Sequence, residues 1–193
     1  VMFLASRMGG LFDRYPGLEV ELVAVPRFVS ILNREAEISI HLERPSVDQL
    51  VTRKLTDYRL ALYASRTYLD RNPPIEKRED LAAHAWIDYV DDLLFSQELK
   101  FLSSFCRNPK VVFHSTSVIA QHQAARSGLG IAVLPCFMAS GDPELVPLLP
   151  GEGIQRSYWI SSRRELHKSV RLRVLWDYVV ELCAKEQGLL LGE

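Results

Sequence analysis

Residues 115–135 read STSVIAQHQAARSGLGIAVLP, and this stretch decides the fold. Ser115, Thr116 and Ser117 sit where a helix would begin, because a side-chain oxygen there can accept the unpaired first-turn amides. Val118, Ile119, His122 and Ala125 follow at helical spacing, and Gly128 and Gly130 bracket the stop. Ile131 to Leu134 is an unbroken apolar run closed by Pro135, the pattern of a strand covered on both faces. Val111, Val112 and Phe113 form a second strand candidate just upstream. Strand, helix and strand within about two dozen residues make a tight βαβ crossover. Such a unit presents a helix start, with free N–H groups and a positive dipole end, at the carboxyl end of a strand. Ligands of open α/β sheets gather at those strand ends. The competing reading is that the three hydroxyls only cap the helix.

Working outward, the N-terminal residues Phe3, Leu4, Met8, Leu11, Phe12 and Tyr15 share one helical face, stopped by Tyr15-Pro16-Gly17. Leu18 to Val25 alternates as a strand, Phe28 to Asn33 reads as a short helix, and Ile38 to Leu42 as another strand. Gln49 to Leu55 and Leu60 to Ala64 read as two strands joined across Thr56 to Arg59. Asn72-Pro73-Pro74 is a rigid break. Glu79 to Ala83 gives one helical turn, Trp86 to Val90 a strand, and Leu99 to Cys106 a helix before the opening unit. Strands at Leu145 to Leu149 and Ser157 to Ser161 follow. A helix from about Val170 to Glu186 closes the chain, with Leu172, Leu175, Trp176, Val179, Leu182 and Cys183 as its apolar stripe. Two βα series separated by the proline break predict two α/β lobes. A return of the chain to the first lobe near Trp159 makes two connecting strands and a ligand-clamping hinge.

The 193 residues are 48% hydrophobic and 24% charged, with a formal net charge of -1, ordinary for a globular chain and without the footprint of a nucleic-acid binder. Cys106, Cys136 and Cys183 lack CxxC spacing and fit a reduced, intracellular setting. No run reaches the length of a membrane span, and the first residues lack the pattern of a secretory signal. There is no GxSxG, HExxH or Walker A sequence, and Gly128-Leu129-Gly130 follows a helix, so it serves a turn and not a phosphate. His41, His84, His114, His122 and His167 lie on separate predicted elements and read as structural or surface groups, with His41 nearest to a strand end of interest. Asp91 and Asp92 read as a solvated helix start, and Arg163, Arg164, Arg171 and Arg173 as solvated faces. Trp86, Trp159 and Trp176 read as core or hinge packing. No catalytic residue, metal site or cofactor is expected.

The ordered set FDRYPGLEVEL (12–22), NREAEISIHLERP (33–45), LYASRTYL (62–69), EDLAAHAWIDY (79–89), AARSGLGIAVLP (124–135), ELVPLLP (144–150) and YWISSRRELHKSVRLRVLWDYV (158–179) resembles the effector-binding domain of LysR-type transcriptional regulators. The resemblance spans essentially the whole chain. It implies a type 2 periplasmic-binding-protein fold: two Rossmann-like α/β lobes joined by two crossover strands. Lobe I is then expected at 1–64 plus 160–193 and lobe II at 65–159. It also implies a small, commonly anionic effector held in the cleft by Ser115, Thr116 and Ser117, by Leu42 and Glu43, and by the turn at Pro135. Homodimerisation is expected through Leu11, Val20, Leu22, Val118 and His122, with a tetramer in the full-length protein. DNA would be reached only through an N-terminal winged helix-turn-helix outside this numbering. The family's first strand and its following loop are expected to lie outside this numbering. The expected setting is cytoplasmic. A solute-binding protein of a transport system, or a lyase-like enzyme using Asp91 or His41, would share the scaffold.

Overall fold

The computed structural model describes residues 1–24 and 36–193. The chain divides into unit 1, residues 1–57 and 157–188, and unit 2, residues 58–156 and 189–193.

Unit 2 is built on the opening stretch. Strands β3 (Ala85–Asp88), β4 (Lys110–His114) and β5 (Ile131–Pro135) run parallel, with β3 in the middle. Helix α4 (Val118–Arg126) therefore crosses over β3 on its way from β4 to β5. The crossover joins two strands that are not neighbours, a refinement of the simple unit read from the sequence. The long strand β2 (Leu50–Ser65) enters this unit antiparallel to β5, with Leu60 opposite Pro135. Short strand β6 (Leu145–Leu148) pairs on its far side, and the single-turn helices α3 (Arg66–Leu69) and α5 (Cys136–Ala139) follow β2 and β5. Every residue of β5 is buried, as a strand covered on both faces requires. Ala61 and Tyr63 of β2 pack with Ile87, Ala132 and Leu134 under Ala124 and Ala125 of α4. Small residues on the helix let it lie close to the sheet.

Gly130 fixes how close. A Cβ there would stand 2.5 Å from the Ala85 carbonyl oxygen and 2.9 Å from its carbon, so only glycine lets β5 begin beside β3. Gly128 ends α4 in the left-handed conformation, φ +84°. Trp86, fully buried, donates its indole N–H to the Leu81 carbonyl at 3.2 Å. A short terminal helix, α7 (Gln187–Leu191), returns the chain to unit 2, where Leu190 is buried and Gly192 lies against Cys136.

Unit 1 holds α1 (Met2–Ala5), α2 (Gly9–Arg14), β1 (Ile38–His41), the first half of β2, the second half of β7 (Ile154–Arg163) and α6 (Val170–Lys185). β1 and β7 pair antiparallel from Ile38 opposite Ser162 to His41 opposite Trp159. Leu172, Trp176, Val179 and Cys183 are the buried stripe of α6. Tyr178 donates to the Arg7 carbonyl, and Arg7 pairs with Glu186 at 3.3 Å, tying α6 to the N-terminal turns.

Five elements differ from the sequence expectation. The single N-terminal helix is two short ones, because Ser6 bonds back to the Met2 carbonyl at 3.0 Å and Gly9-Gly10 favours a restart. Residues 18–24 form no strand, since among the described residues nothing pairs with them and a strand exists only through its ladder. The two strands expected at 49–55 and 60–64 are one, β2. The polar stretch that suggests a turn is instead paired, Asp57 with Lys54 at 2.8 Å and with Ser157 at 2.6 Å. The helix expected at 99–106 is two separate 3-10 turns, with Leu99, Phe101, Leu102, Phe105 and Cys106 all buried, a set too wide for one helical face. On α4 the buried face is Gln121, His122, Ala124 and Ala125, while Ile119 is 41% exposed. The helix expected at Phe28 to Asn33 lies outside the described residues.

Candidate functional site

The carboxyl ends of β3, β4 and β5 lie side by side in unit 2 and carry Asp88, His114 and Pro135. The chain leaving β4 is tied back to β3 by the Ser115 amide, which donates to the Asp88 carbonyl at 3.0 Å. The three hydroxyls that follow have different roles. Ser115 Oγ accepts the Ser117 amide at 3.1 Å, and its carbonyl accepts the buried Gln121 side-chain amide at 2.9 Å. Ser117 is the helix cap, its Oγ accepting the Ala120 amide at 3.4 Å. Thr116, half-buried, has no side-chain partner among the described residues. Capping therefore accounts for Ser117 and a local turn for Ser115, yet each keeps its O–H free to donate, because a hydroxyl that accepts still has its own proton. The geometry of a helix start also leaves the Val118 and Ile119 amides without intrahelical acceptors.

This set can hold an anion with neutral donors and the helix dipole. Its surroundings are partly desolvated. Burial pushes the Asp88 carboxyl above its ordinary range, against a stabilising hydrogen bond from the Tyr89 amide. His114 Nδ1 lies 3.0 Å from the Tyr89 carbonyl, and since a carbonyl only accepts, Nδ1 bears the proton. Pro135 is buried as the last residue of β5 and, lacking an N–H, can offer a ligand only its ring and its carbonyl.

In unit 1, Leu42 is half-buried and Glu43 exposed, both in the bend that follows β1. His41, last in β1, is bonded through Nε2 to Ser161 Oγ at 2.7 Å, and burial lowers its pKa. Arg44 lies over the Trp159 ring at 5.5 Å, a cation–π contact that pairing of β1 with β7 creates and that no local motif reveals. Asp91 and Asp92 are exposed at the start of a 3-10 turn. Among the described residues no cluster of His, Cys, Asp and Glu could hold a metal, and the three cysteines are free and buried.

The expected interface residues divide. Leu22 is exposed, and Val20 and Val118 are half-buried. Leu11 and His122 are buried within their own units. His122 Nε2 stands 3.4 Å from Asp142, which also meets Arg126 at 3.4 Å.

The family model described as the LysR substrate binding domain matches residues 1–184. The chain belongs to the LysR substrate binding domain family. Relatives include the HTH-type transcriptional regulator CrgA of Neisseria meningitidis, 27% identical over 88% of this chain and 58% of the relative. The HTH-type transcriptional activator TtdR of Escherichia coli is 24% identical over 96% of this chain and 62% of its own length. The chain thus spans about three-fifths of the curated relatives it matches. Among solved structures, the CrgA regulatory domain superposes with TM-score 0.79 at 24% identity, covering 94% of this chain and 92% of that one. The CcmR regulatory domain of Synechocystis, solved in complex with 2-PG, gives TM-score 0.74 at 23% identity, covering 94% and 91%. The α/β architecture of this LysR domain is that of these regulatory domains. CrgA and TtdR are transcriptional regulators, and neither favours a transport protein. No helix among the described residues is long and apolar enough to cross a membrane.

Proposed function

We propose that this LysR domain is the ligand sensor of a cytoplasmic transcriptional regulator and performs no catalysis. A small organic anion binds to it, and the change in conformation alters the assembly of a DNA-binding dimer or tetramer. Contact with DNA is made by a helix-turn-helix domain outside this chain. Membership of the LysR family over residues 1–184 carries the reading. A related fold with a small ligand bound, the CcmR regulatory domain with 2-PG, supports it.

The effector is proposed to meet Ser115, Thr116, Ser117 and the turn at Pro135 in unit 2, and Leu42 and Glu43 in unit 1. Thr116 and the Val118 and Ile119 amides are the strongest donors, since the fold leaves them unused. Dimerisation is proposed through Leu11, Val20 and Leu22 of unit 1 and Val118 and His122 of unit 2.

A thermal-shift screen of small carboxylates, aromatic acids and amino acids tests the proposal. A ligand at a hundred times its dissociation constant adds about 2.7 kcal/mol, which for a chain of this size is roughly 5–10 °C. Replacing Ser115, Thr116 and Ser117 together by alanine is expected to abolish the shift while the domain stays folded. A shift that survives the replacement would place the ligand elsewhere.

A further inference from the structure

Unit 1 has an open pocket of about 490 Å³ that the effector reading does not use. Three elements line it: β2 and, far from it in sequence, a 3-10 turn and the helix that directly follows that turn. Val51 and Arg53 come from β2 and, two residues apart, share one face of the strand. His167 and Lys168 come from the 3-10 turn at Leu166–Lys168. Arg173, Trp176 and Asp177 come from α6, where spacings of three and four put them on one side of the helix.

The chemistry of the lining is polarised. Trp176, only 5% exposed, and the half-buried Val51 supply apolar surface. Ser162 holds the His167 ring through Nδ1 at 3.0 Å, and the ring meets Trp176 edge-on with centroids 4.9 Å apart. Around this surface stand Arg53, Lys168 and Arg173, all exposed. Among the described residues none of the three has a carboxylate within ion-pair distance, although Asp177 is nearby. Other arginines of the unit are engaged: Arg171 with Glu37, Arg163 with Glu165 at 3.9 Å, and Arg164 with the Asp48 carbonyl at 3.1 Å. Three unpaired cations and one carboxylate leave an excess of positive charge over an aromatic floor.

We propose that this pocket is a second small-molecule site, selective for a carboxylate carried on a flat apolar body. The carboxylate meets Arg53 and Arg173, whose guanidinium groups can each grip it by two hydrogen bonds. The ring lies against Trp176 and Val51. The volume falls in the range of ordinary ligand sites. The site is independent of the hydroxyl cluster at Ser115, and neither reading depends on the other.

The test is a titration of the chain with benzoate, followed by tryptophan fluorescence and by calorimetry, with inorganic phosphate as the comparison anion. Saturable binding of benzoate is expected, with phosphate at least about tenfold weaker because it cannot use the aromatic floor. The variant Arg53→Gln/Arg173→Gln changes only exposed side chains and should keep the thermal midpoint. It is expected to bind benzoate at least about tenfold more weakly, the loss of charge-assisted hydrogen bonds. The Ser115→Ala/Thr116→Ala/Ser117→Ala variant is expected to keep this affinity. No saturable benzoate binding, equal affinity in the arginine variant, phosphate binding as tightly as benzoate, or loss confined to the triple-alanine variant would each overturn the proposal.

Discussion

Gly130→Ala is the sharpest test of how the strand ends are set. An added Cβ would fall 2.5 Å from the Ala85 carbonyl oxygen, 2.9 Å from its carbon and 3.3 Å from the Trp86 nitrogen. Ordinary contact needs about 3.5 Å, so β5 and β3 must part by most of an ångström. All three atoms are backbone of the central strand, and neighbouring strands are held at about 4.8 Å by their ladder. Overpacking typically costs about 1–3 kcal/mol, and an obstruction that cannot rotate away belongs at the upper end. A loss of about 3 kcal/mol lowers the midpoint of a chain this size by roughly 6–12 °C. Two other glycines grade the result. Gly128→Ala meets no close atom but must hold φ +84°, which costs about 1 kcal/mol and roughly 2–4 °C. Gly141→Ala has nothing within 4 Å and normal backbone, so it should leave the midpoint unchanged. The assay is differential scanning calorimetry of the three variants. A Gly130→Ala midpoint within a degree of Gly141→Ala would refute the close approach of β3 and β5.

Further outcomes follow from other contacts. Tyr68→Phe removes a hydroxyl that accepts the Ala85 amide at 2.9 Å and donates to His84 Nδ1 at 3.1 Å; urea unfolding should show a loss of about 1–3 kcal/mol. Burial lowers the pKa of both His41 and His84 from 6.5, so the unfolded chain takes up protons first as pH falls. Their contribution to stability is therefore complete above about pH 6.5 and lost below it, and His84→Gln should flatten the fall in urea midpoint between pH 7.5 and 5.5. An equal slope in the variant would remove His84 from that account. Ending the chain after Gly188 deletes the buried Leu190, and calorimetry should register a loss of about 2 kcal/mol.

How much of this was legible in the sequence depends on the range of the interactions. The β4–α4–β5 unit could be read because its signals are local: a cap at Ser117, an unbroken apolar run, and glycines at the stop. The LysR resemblance could be read from an ordered series of short matches, and the family match over residues 1–184 bears it out. The continuity of β2 could not, since Asp57 looks like turn chemistry until Ser157, a hundred residues later, accounts for it. The same holds for Leu99 to Cys106, whose apolar spacing imitates a helix while its residues bury on several sides. At the candidate site the residue types were readable but their division of labour was not. Only in the folded chain are Ser115 and Ser117 engaged by backbone amides and Thr116 left over. The basic pocket was hidden for a further reason: its arginines look like solvated surface until β2 and α6 bring Arg53 and Arg173 into the lining of one pocket with Trp176.

The central claim is that a small organic anion is held by the start of α4. The most direct measurement is a ¹⁵N NMR titration of the chain with a carboxylate that raises its thermal midpoint. The largest amide shifts are expected on Thr116, Ser117, Val118 and Ile119. Largest shifts on any other segment, with these four amides unmoved, would contradict it.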